Sequence, residues 1–166
     1  PGFDRDFACG SGRKPLIGTV AANVLEHGTG ALNIDACRKA DAGRWPTNVV
    51  LDKSQASELD KQHSDTGGAS RFFGVFRYQA KAPPKERPKD ADGKGHPTVK
   101  PLELMRWLVR LVTPTGGIVL DPFTGSGTTI QAAIQEGFRA FGIEREPDYL
   151  PLILARMGFQ DGEDAA

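Results

Sequence analysis

A chain of 166 residues, 39% of them hydrophobic and 25% charged, is long enough for one compact domain and too short for two substantial ones. Its composition is that of a globular protein, neither disordered nor membrane-embedded. Lysine plus arginine and aspartate plus glutamate both total 21, so net charge says nothing about partners, while 20 glycines and 12 prolines predict a loop-rich chain.

Cys9 and Cys37 are the only cysteines, with no CxxC pair and no histidine at metal-ligand spacing, so neither a zinc site nor a disulfide framework is indicated. That fits a reducing cytoplasm. No apolar run approaches the ~20 residues that a membrane span needs, and the amino terminus lacks the pattern of a signal peptide. A cytoplasmic location without a membrane partner is expected. The chain begins at Pro1 and its first methionine is Met105, which points to a trimmed chain or a partial reading frame.

The first 46 residues are punctuated by glycine and show no sustained period. Val20 to Glu26 reads as a short helix stopped by Gly28 and Gly30. The apolar run that ends at Leu51 predicts a strand over 47–51, and residues 53–70 are polar and read as loop. Arg71 to Gln79, rich in aromatics, predicts a second strand. Lys81 to Gly95 holds Pro, Lys and Asp with almost no apolar residues, and reads as an exposed, mobile connection. Between Arg77 and Lys100 seven basic residues face three acidic ones, and from Glu144 onward the balance reverses. Such a stretch can place one face against a polyanion or can be a solvated loop, and charge alone leaves both readings open.

Periodicity is clearer in the last third. Leu104, Met105, Leu108, Val109 and Val112 form the apolar stripe of a helix, with Arg106 and Arg110 on the other side and Pro114 and Gly116-Gly117 ending it. Ile118 to Leu120 looks like a buried parallel strand leading into Asp121. After a glycine-rich loop, a helix over Thr128 to Glu136 closes at Gly137. A strand over Phe138 to Ile143 then ends at Glu144, and a last helix runs from Pro147 to Met157 with Gly158 just past its end. Strand, glycine loop, helix, strand and acidic residue make a βαβ nucleotide-binding unit.

The loop itself reads Asp121-Pro122-Phe123-Thr124-Gly125-Ser126-Gly127-Thr128-Thr129. Gly125 and Gly127 allow a tight turn and close approach of a ligand, and the next helix points its amide dipoles back at the loop. Glu144 lies 23 residues beyond Asp121, where a carboxylate can accept both hydroxyl hydrogens of a ribose. No Gly-Lys-Ser/Thr is present, so this is not a P-loop, and the absence of GxGxxG disfavours a dinucleotide. Taken alone, the glycines have a structural strand-to-helix turn as their competing reading.

DPFTGSGTT is preceded by His96-Pro97-Thr98-Val99-Lys100-Pro101 and followed by Gly142-Ile143-Glu144-Arg145-Glu146 and Tyr149. Together these resemble three motifs of the DNA amino-methyltransferases: HPTVKP their motif X, DPFTGSGTT their motif I, and GIERE with its aromatic follower their motif II. The resemblance is strongest over residues 96–157. A weaker similarity to the family's target-recognition and adjoining regions runs through Arg13-Lys14-Pro15, Gly30 to Asp35 and Gly43-Arg44-Trp45-Pro46. The order X, I, II is similar to that of the permuted subgroup, in which the catalytic motif lies upstream of the cofactor motifs.

The resemblance implies an α/β, partial Rossmann-like fold that binds S-adenosylmethionine, with a parallel strand pair at 118–121 and 138–144. Residues 1–95 would be a partial target-recognition and adjoining region, and 96–166 the cofactor-binding region. It implies that Phe123, Gly125 and Gly127 shape the loop around the cofactor, that Asp121 and Thr128 lie beside its methionine moiety, and that Glu144 meets its ribose. Thr98, Lys100 and Pro101 would close over its amino-acid end. His96 and Ser126 join this set through their places in motifs X and I; outside HPTVKP, His96 would read as a surface histidine and Lys100 as a solvated charge. The partners implied are duplex DNA and S-adenosylmethionine, whose carboxylate, ammonium, sulfonium and ribose diol match the donors and acceptors of these motifs.

Members of this family flip the target base out of the duplex and hold its poorly nucleophilic amine with a motif of Asp, Asn or Ser, then Pro-Pro, then an aromatic. The only Pro-Pro here is Pro83-Pro84, flanked by Ala82 and Lys85, which matches on neither side. The expectation is therefore a methyltransferase fragment, inactive alone, that depends on an upstream or separate segment carrying the catalytic motif. The alternative is a non-catalytic cofactor- or DNA-binding remnant or subunit. A nicotinamide-dependent oxidoreductase rests only on the βαβ unit and Glu144, and HPTVKP counts against it.

Overall fold

The computed structural model describes residues 15–38, 43–62, 67–76, 82–89 and 92–159. Cys9, Arg13, Lys14, Arg77 to Lys81, Asp90 and the acidic positions Asp161, Glu163 and Asp164 lie outside them. The chain divides into two units, Pro1–Ala31 and Leu32–Ala166. In the first, helix α1 spans Val20–His27, as its sequence predicts. Thr19 caps it by accepting from the Ala22 N–H, and Gly28, at φ 66°, closes it in the left-handed region.

The second unit opens its regular structure with β1 (Val50–Asp52) and α2 (Lys53–Lys61). The polar loop expected over 53–70 is thus partly a helix. Asp52 starts it, one carboxylate oxygen accepting from the N–H groups of Ser54 and Gln55 at 2.7 and 2.9 Å. Only Ala56 is buried among its residues, so no apolar stripe announced it. Asp60 then accepts from the N–H and hydroxyl of Ser70, each at 2.7 Å, and so pins the turn Ala69–Phe72 against α2. The second strand correspondingly begins later than predicted, and its expected end at Arg77 to Gln79 lies outside the described residues. Here β2 covers Gly74–Phe76, parallel to β1, with Arg71 and Phe72 in the preceding turn.

The connection expected to be exposed and mobile is, where described, tied down. Ala82 is fully buried and donates its N–H to the Val99 carbonyl at 2.9 Å. Arg87 donates back to the Ala82 carbonyl at 2.6 Å, Pro84–Glu86 forms a single 3-10 turn, and Lys89 bridges to Gly95. Polar and backbone bonds replace the apolar packing that the sequence lacks.

The βαβ region follows its predicted order. Helix α3 spans Leu102–Val112, β3 Ile118–Asp121, α4 Thr128–Gln135 and β4 Arg139–Gly142. Strands β3 and β4 run parallel in register from Ile118↔Arg139 to Asp121↔Gly142, in a sheet separate from β1–β2. The last helix begins later than predicted: Pro147–Tyr149 is a 3-10 turn, and α5 runs Leu150–Met157 with Gly158 as its left-handed cap. The result is an α/β fold with parallel strand pairs and flanking helices, in keeping with the Rossmann-like expectation.

Val109, Ala132 and Ala133 form the buried centre, with Leu102, Met105, Val119, Phe138 and Ala140 around them. Only one face of β3 meets this core. Ile118 and Leu120 are 49% and 62% exposed, which corrects the expectation of a strand buried on both sides. Arg106 and Arg110, expected to face away from the core, instead clasp Glu136, whose side chain is 9% exposed. Arg110 donates to both carboxylate oxygens at 2.6 and 2.8 Å, and Arg106 adds a third bond at 2.7 Å. These bonds, Arg110 first, hold the Glu136 carboxyl below the usual range.

A carboxyl with a depressed folded-state pKa contributes stability that is present above the ordinary glutamate range, near 4.3, and lost as pH falls through the folded value. Glu136→Gln should therefore lower stability at neutral pH by about 1–2 kcal/mol, the two guanidinium groups being open enough to solvent for screening to reduce the cost. Urea unfolding of both proteins should show this difference shrinking toward pH 3.

Candidate functional site

The carboxyl ends of β3 and β4 lie side by side, and the loop between β3 and α4 is stapled in place from within. Asp121 accepts from the Phe123 N–H at 3.0 Å through its side chain and from the Thr124 hydroxyl at 3.0 Å through its carbonyl. Thr124 in turn accepts from the Gly127 N–H at 2.9 Å. The strand pairing continues into the loop through Ile143 N–H to the Asp121 carbonyl and Thr124 N–H to the Ile143 carbonyl, at 2.9 and 3.1 Å. Gly125 takes φ 56°, and a Cβ there would stand 3.1 Å from His96 Nε2. Both the backbone angle and this close approach favour glycine.

Glu144 crosses from the end of β4 to the loop. One carboxylate oxygen accepts from the Gly125 N–H at 2.7 Å and the other from the Glu146 N–H at 2.9 Å. The backbone amides of Glu146 and Gly125 hold its carboxyl below the usual range, so it is ionised at neutral pH. The side chain expected to meet a ligand is therefore also a strut of the loop. A carboxylate oxygen has two lone pairs, so each keeps acceptor capacity.

The opposite wall comes from residues ahead of α3. The His96 ring meets Tyr149 edge-on, with centroids 4.4 Å apart, and its Nδ1 accepts from the Thr98 N–H at 3.1 Å. That bond places the proton of the neutral ring on Nε2. Burial pushes the His96 pKa down; the Glu144 carboxylate opposes this and Lys100 reinforces it. Val99, almost wholly buried, anchors the segment, and Lys94 reaches Asp148 at 3.2 Å across the turn that carries Tyr149.

Between these walls lies a cavity of about 630 Å³. Nine of the residues singled out in the sequence line it: His96, Thr98, Lys100, Asp121, Phe123, Gly125, Ser126, Thr128 and Glu144. Two do not. Pro101 lines a smaller cavity of about 270 Å³ at the start of α3, beside Phe76 and Lys85. Gly127, at φ 79°, faces Ile153, Arg156 and Met157 of α5. Lining residues that were given no role of their own include Met105, outside the motifs, and Thr129, Ile143 and Arg145, within DPFTGSGTT and GIERE. Met105 carried only an apolar-core signal as part of the helix stripe, while Thr129, Ile143 and Arg145 were present in the quoted motifs without an assigned contact. Phe123 is 88% exposed at the mouth.

Charge is divided across this space. Asp121 and Glu144 supply carboxylates at the strand ends, whereas α4 begins at Gly127 without a side-chain cap, leaving the positive end of its dipole beside Thr128 and Thr129. With Lys100 opposite and Met105 and Ile143 as apolar surface, the cavity suits a ligand that carries both signs of charge, a polyhydroxyl part and an apolar ring.

A family model described as DNA methylase matches residues 37–155. The chain is 44% identical over 61 residues to the Escherichia coli (strain K12) protein "Putative methylase YubD", a match that covers 37% of this chain and 27% of that protein. It is 37% identical over 62 residues to the type II methyltransferase M.ScaI of Streptomyces caespitosus, covering 37% of this chain and 20% of that protein. It is also similar to the solved SAM complex of M1.HpyAVI, at 32% identity and a TM-score of 0.40, over 51% of this chain and 37% of the other. The chain spans about a quarter or less of the length of these two curated relatives.

The placement of His96 makes its titration a direct probe of the cavity. Its midpoint, followed by NMR of the ring protons, should lie below that of a free histidine. Glu144→Gln removes the carboxylate that favours the imidazolium, and should lower the midpoint further.

Proposed function

This chain belongs to the DNA methylase family, and from that premise we propose that it holds S-adenosylmethionine for an enzyme that methylates an exocyclic amine of adenine or cytosine in duplex DNA. The observation that carries the proposal is the single cavity lined by residues of HPTVKP, DPFTGSGTT and GIERE. Its donor set fits the cofactor. Asp121 suits the ammonium and sulfonium, and Lys100, the threonine hydroxyls and the start of α4 suit the carboxylate. The Glu144 carboxylate suits the ribose diol, and Phe123 and Ile143 suit an apolar ring face. When bound, S-adenosylmethionine supplies an electrophilic methyl group. The residues of this chain bind and orient, and hold Glu144 ionised.

Residues 96–166 are the cofactor-binding region in this reading, and residues 1–95 a partial target-recognition and adjoining region. In the latter, Arg44 and Arg71 both stack on the Phe72 ring, at 4.2 and 4.4 Å from its centroid. Neither is paired with a carboxylate among the described residues, which favours contact with a polyanion such as duplex DNA. A cytoplasmic location belongs to the same reading.

Catalysis is proposed to need a further segment, upstream or on a separate chain, as in the permuted subgroup that the motif order resembles. Pro83-Pro84 does not substitute for the catalytic motif. Both backbone groups of the buried Ala82 are engaged, by Val99 and Arg87, and Pro84 opens a 3-10 turn. No polar acceptor precedes the prolines and no aromatic follows them. The same observation favours a second reading, a non-catalytic cofactor- or DNA-binding subunit.

Calorimetry should detect binding of S-adenosylmethionine or its demethylated product, weakened in Glu144→Ala by roughly 1–3 kcal/mol, the usual worth of hydrogen bonds to a charged group. Saturable binding of NAD with none of S-adenosylmethionine would overturn the proposal.

Transfer of tritiated methyl groups to unmethylated genomic DNA should be absent with these 166 residues and present once a segment carrying the Asp/Asn/Ser-Pro-Pro-aromatic motif is joined to them. Positioning and hydrogen bonding of the target amine are each worth orders of magnitude in rate, and cofactor binding alone supplies neither. Robust incorporation by the chain alone would refute the need for that segment.

A further inference from the structure

Arg156, near the end of α5, does not line the cavity, yet it holds the loop that does. Its Nε donates to the Ser126 carbonyl at 2.6 Å, Nη1 to Gln131 Oε1 at 2.8 Å and Nη2 to the Glu86 carbonyl at 2.5 Å. All three acceptors are neutral. The Glu86 carboxylate is engaged elsewhere, accepting from the Leu102 N–H at 3.1 Å, and no carboxylate pairs with Arg156 among the described residues. Burial pushes the guanidinium pKa down and the Glu86 carboxylate opposes this, and arginine starts so high that the charge remains.

This is a costly place for a cation. It is partly desolvated with the Glu86 carboxylate as a counter-charge only at longer range than an ion pair, and it stands beside Ser126 and Gly127, at the end of α4 where the helix dipole is itself positive. Packing alone would be served by an apolar residue, since Ile153 and Met157 of the same helix already fill the space behind Gly127.

We propose that Arg156 is a positioning residue for the cofactor loop. By drawing the Ser126 carbonyl toward α5, it fixes the peptide plane from which the Gly127 N–H turns to Thr124 and α4 begins, with Ser126 and Thr128 on the cavity wall. Its charge adds to the positive end of α4 and strengthens the field that an anionic group in the cavity would meet. The proposal rests on the reading that this cavity holds S-adenosylmethionine, and gives the loop a support that lies outside all three motifs.

The test compares the 166-residue chain with Arg156→Lys and Arg156→Ala, measuring affinity for the demethylated product by calorimetry and folding by circular dichroism. Arg156→Ala should remain folded at low temperature and bind about tenfold or more weakly. Millimolar guanidinium should restore much of that loss, while methylammonium at equal ionic strength should not. Arg156→Lys, which keeps the charge but loses the planar fork, should fall between the two. Should Arg156→Ala fail to fold, Arg156→Lys in its folded state carries the test through its own weakened binding. Unchanged affinity in a folded variant, or a loss that guanidinium does not restore, overturns the proposal. A parent chain that binds no cofactor at all overturns the reading of the cavity instead.

Discussion

The grip of Arg106 and Arg110 on Glu136 is the constraint from which the rest of the second unit follows. The seam between α3 and α4 is closed by Val109, Ala132 and Ala133, small side chains that let the helices approach but remove little apolar surface from water. Three charge-assisted bonds at the far end of α4 therefore set how one helix sits on the other. Both helices begin at functional elements. The first follows HPTVKP and the second begins within DPFTGSGTT, so a clasp at one end of the pair fixes the separation of two cavity walls at the other. Its effect on the site is indirect and geometric.

At the cavity itself, the same economy of apolar material makes backbone groups the main building element. Glu144 joins loop to strand through two amides, Asp121 staples the loop start, and Arg156 holds its end from behind. A loop secured this way needs little reorganisation to receive a ligand, which lowers the entropic cost of binding. It also explains why Gly125 and Gly127 are needed. With the backbone fixed by its polar groups and φ positive at both positions, a side chain has neither a favourable dihedral nor, at Gly125, free space beside His96.

What was legible in the sequence follows the same division between apolar pattern and polar contact. The helix at 102–112 and the βαβ order at 118–142 announced themselves through apolar period and glycine punctuation, and the motif residues there gather at one cavity. The helix at 53–61 did not, because it presents one buried alanine and is started by an aspartate cap that reads equally well as a loop residue. The segment after Ala82 was misread for a related reason. Its anchors are Val99, Leu102 and Arg156, up to 70 residues away, and no local composition encodes such partners. Arg156 was illegible as part of the site, since an arginine near a helix end has an ordinary role with the dipole. Pro101 shows a different limit: the motif pattern gives its place in sequence, while the structure sets it on the wall of the neighbouring smaller cavity.

The sheet carries one more physical statement. Leu120 and Phe141 stand on the face of β3–β4 away from the core, each 62% exposed, with Ile118 and Ile143 beside them. Parallel strands with apolar residues on both faces are characteristic of sheets covered on both sides, and a two-stranded ribbon is at best marginally stable alone. The apolar residues of this bare face were placed in the sequence by the same β pattern that built the covered one. In the proposed reading, the enzyme needs a segment that these residues do not contain, the one that would hold the target amine. Among the described residues nothing covers this face, and the apolar pattern that places Leu120 and Phe141 there is the pattern of strands that sit inside a wider sheet, which is the arrangement the proposed reading calls for.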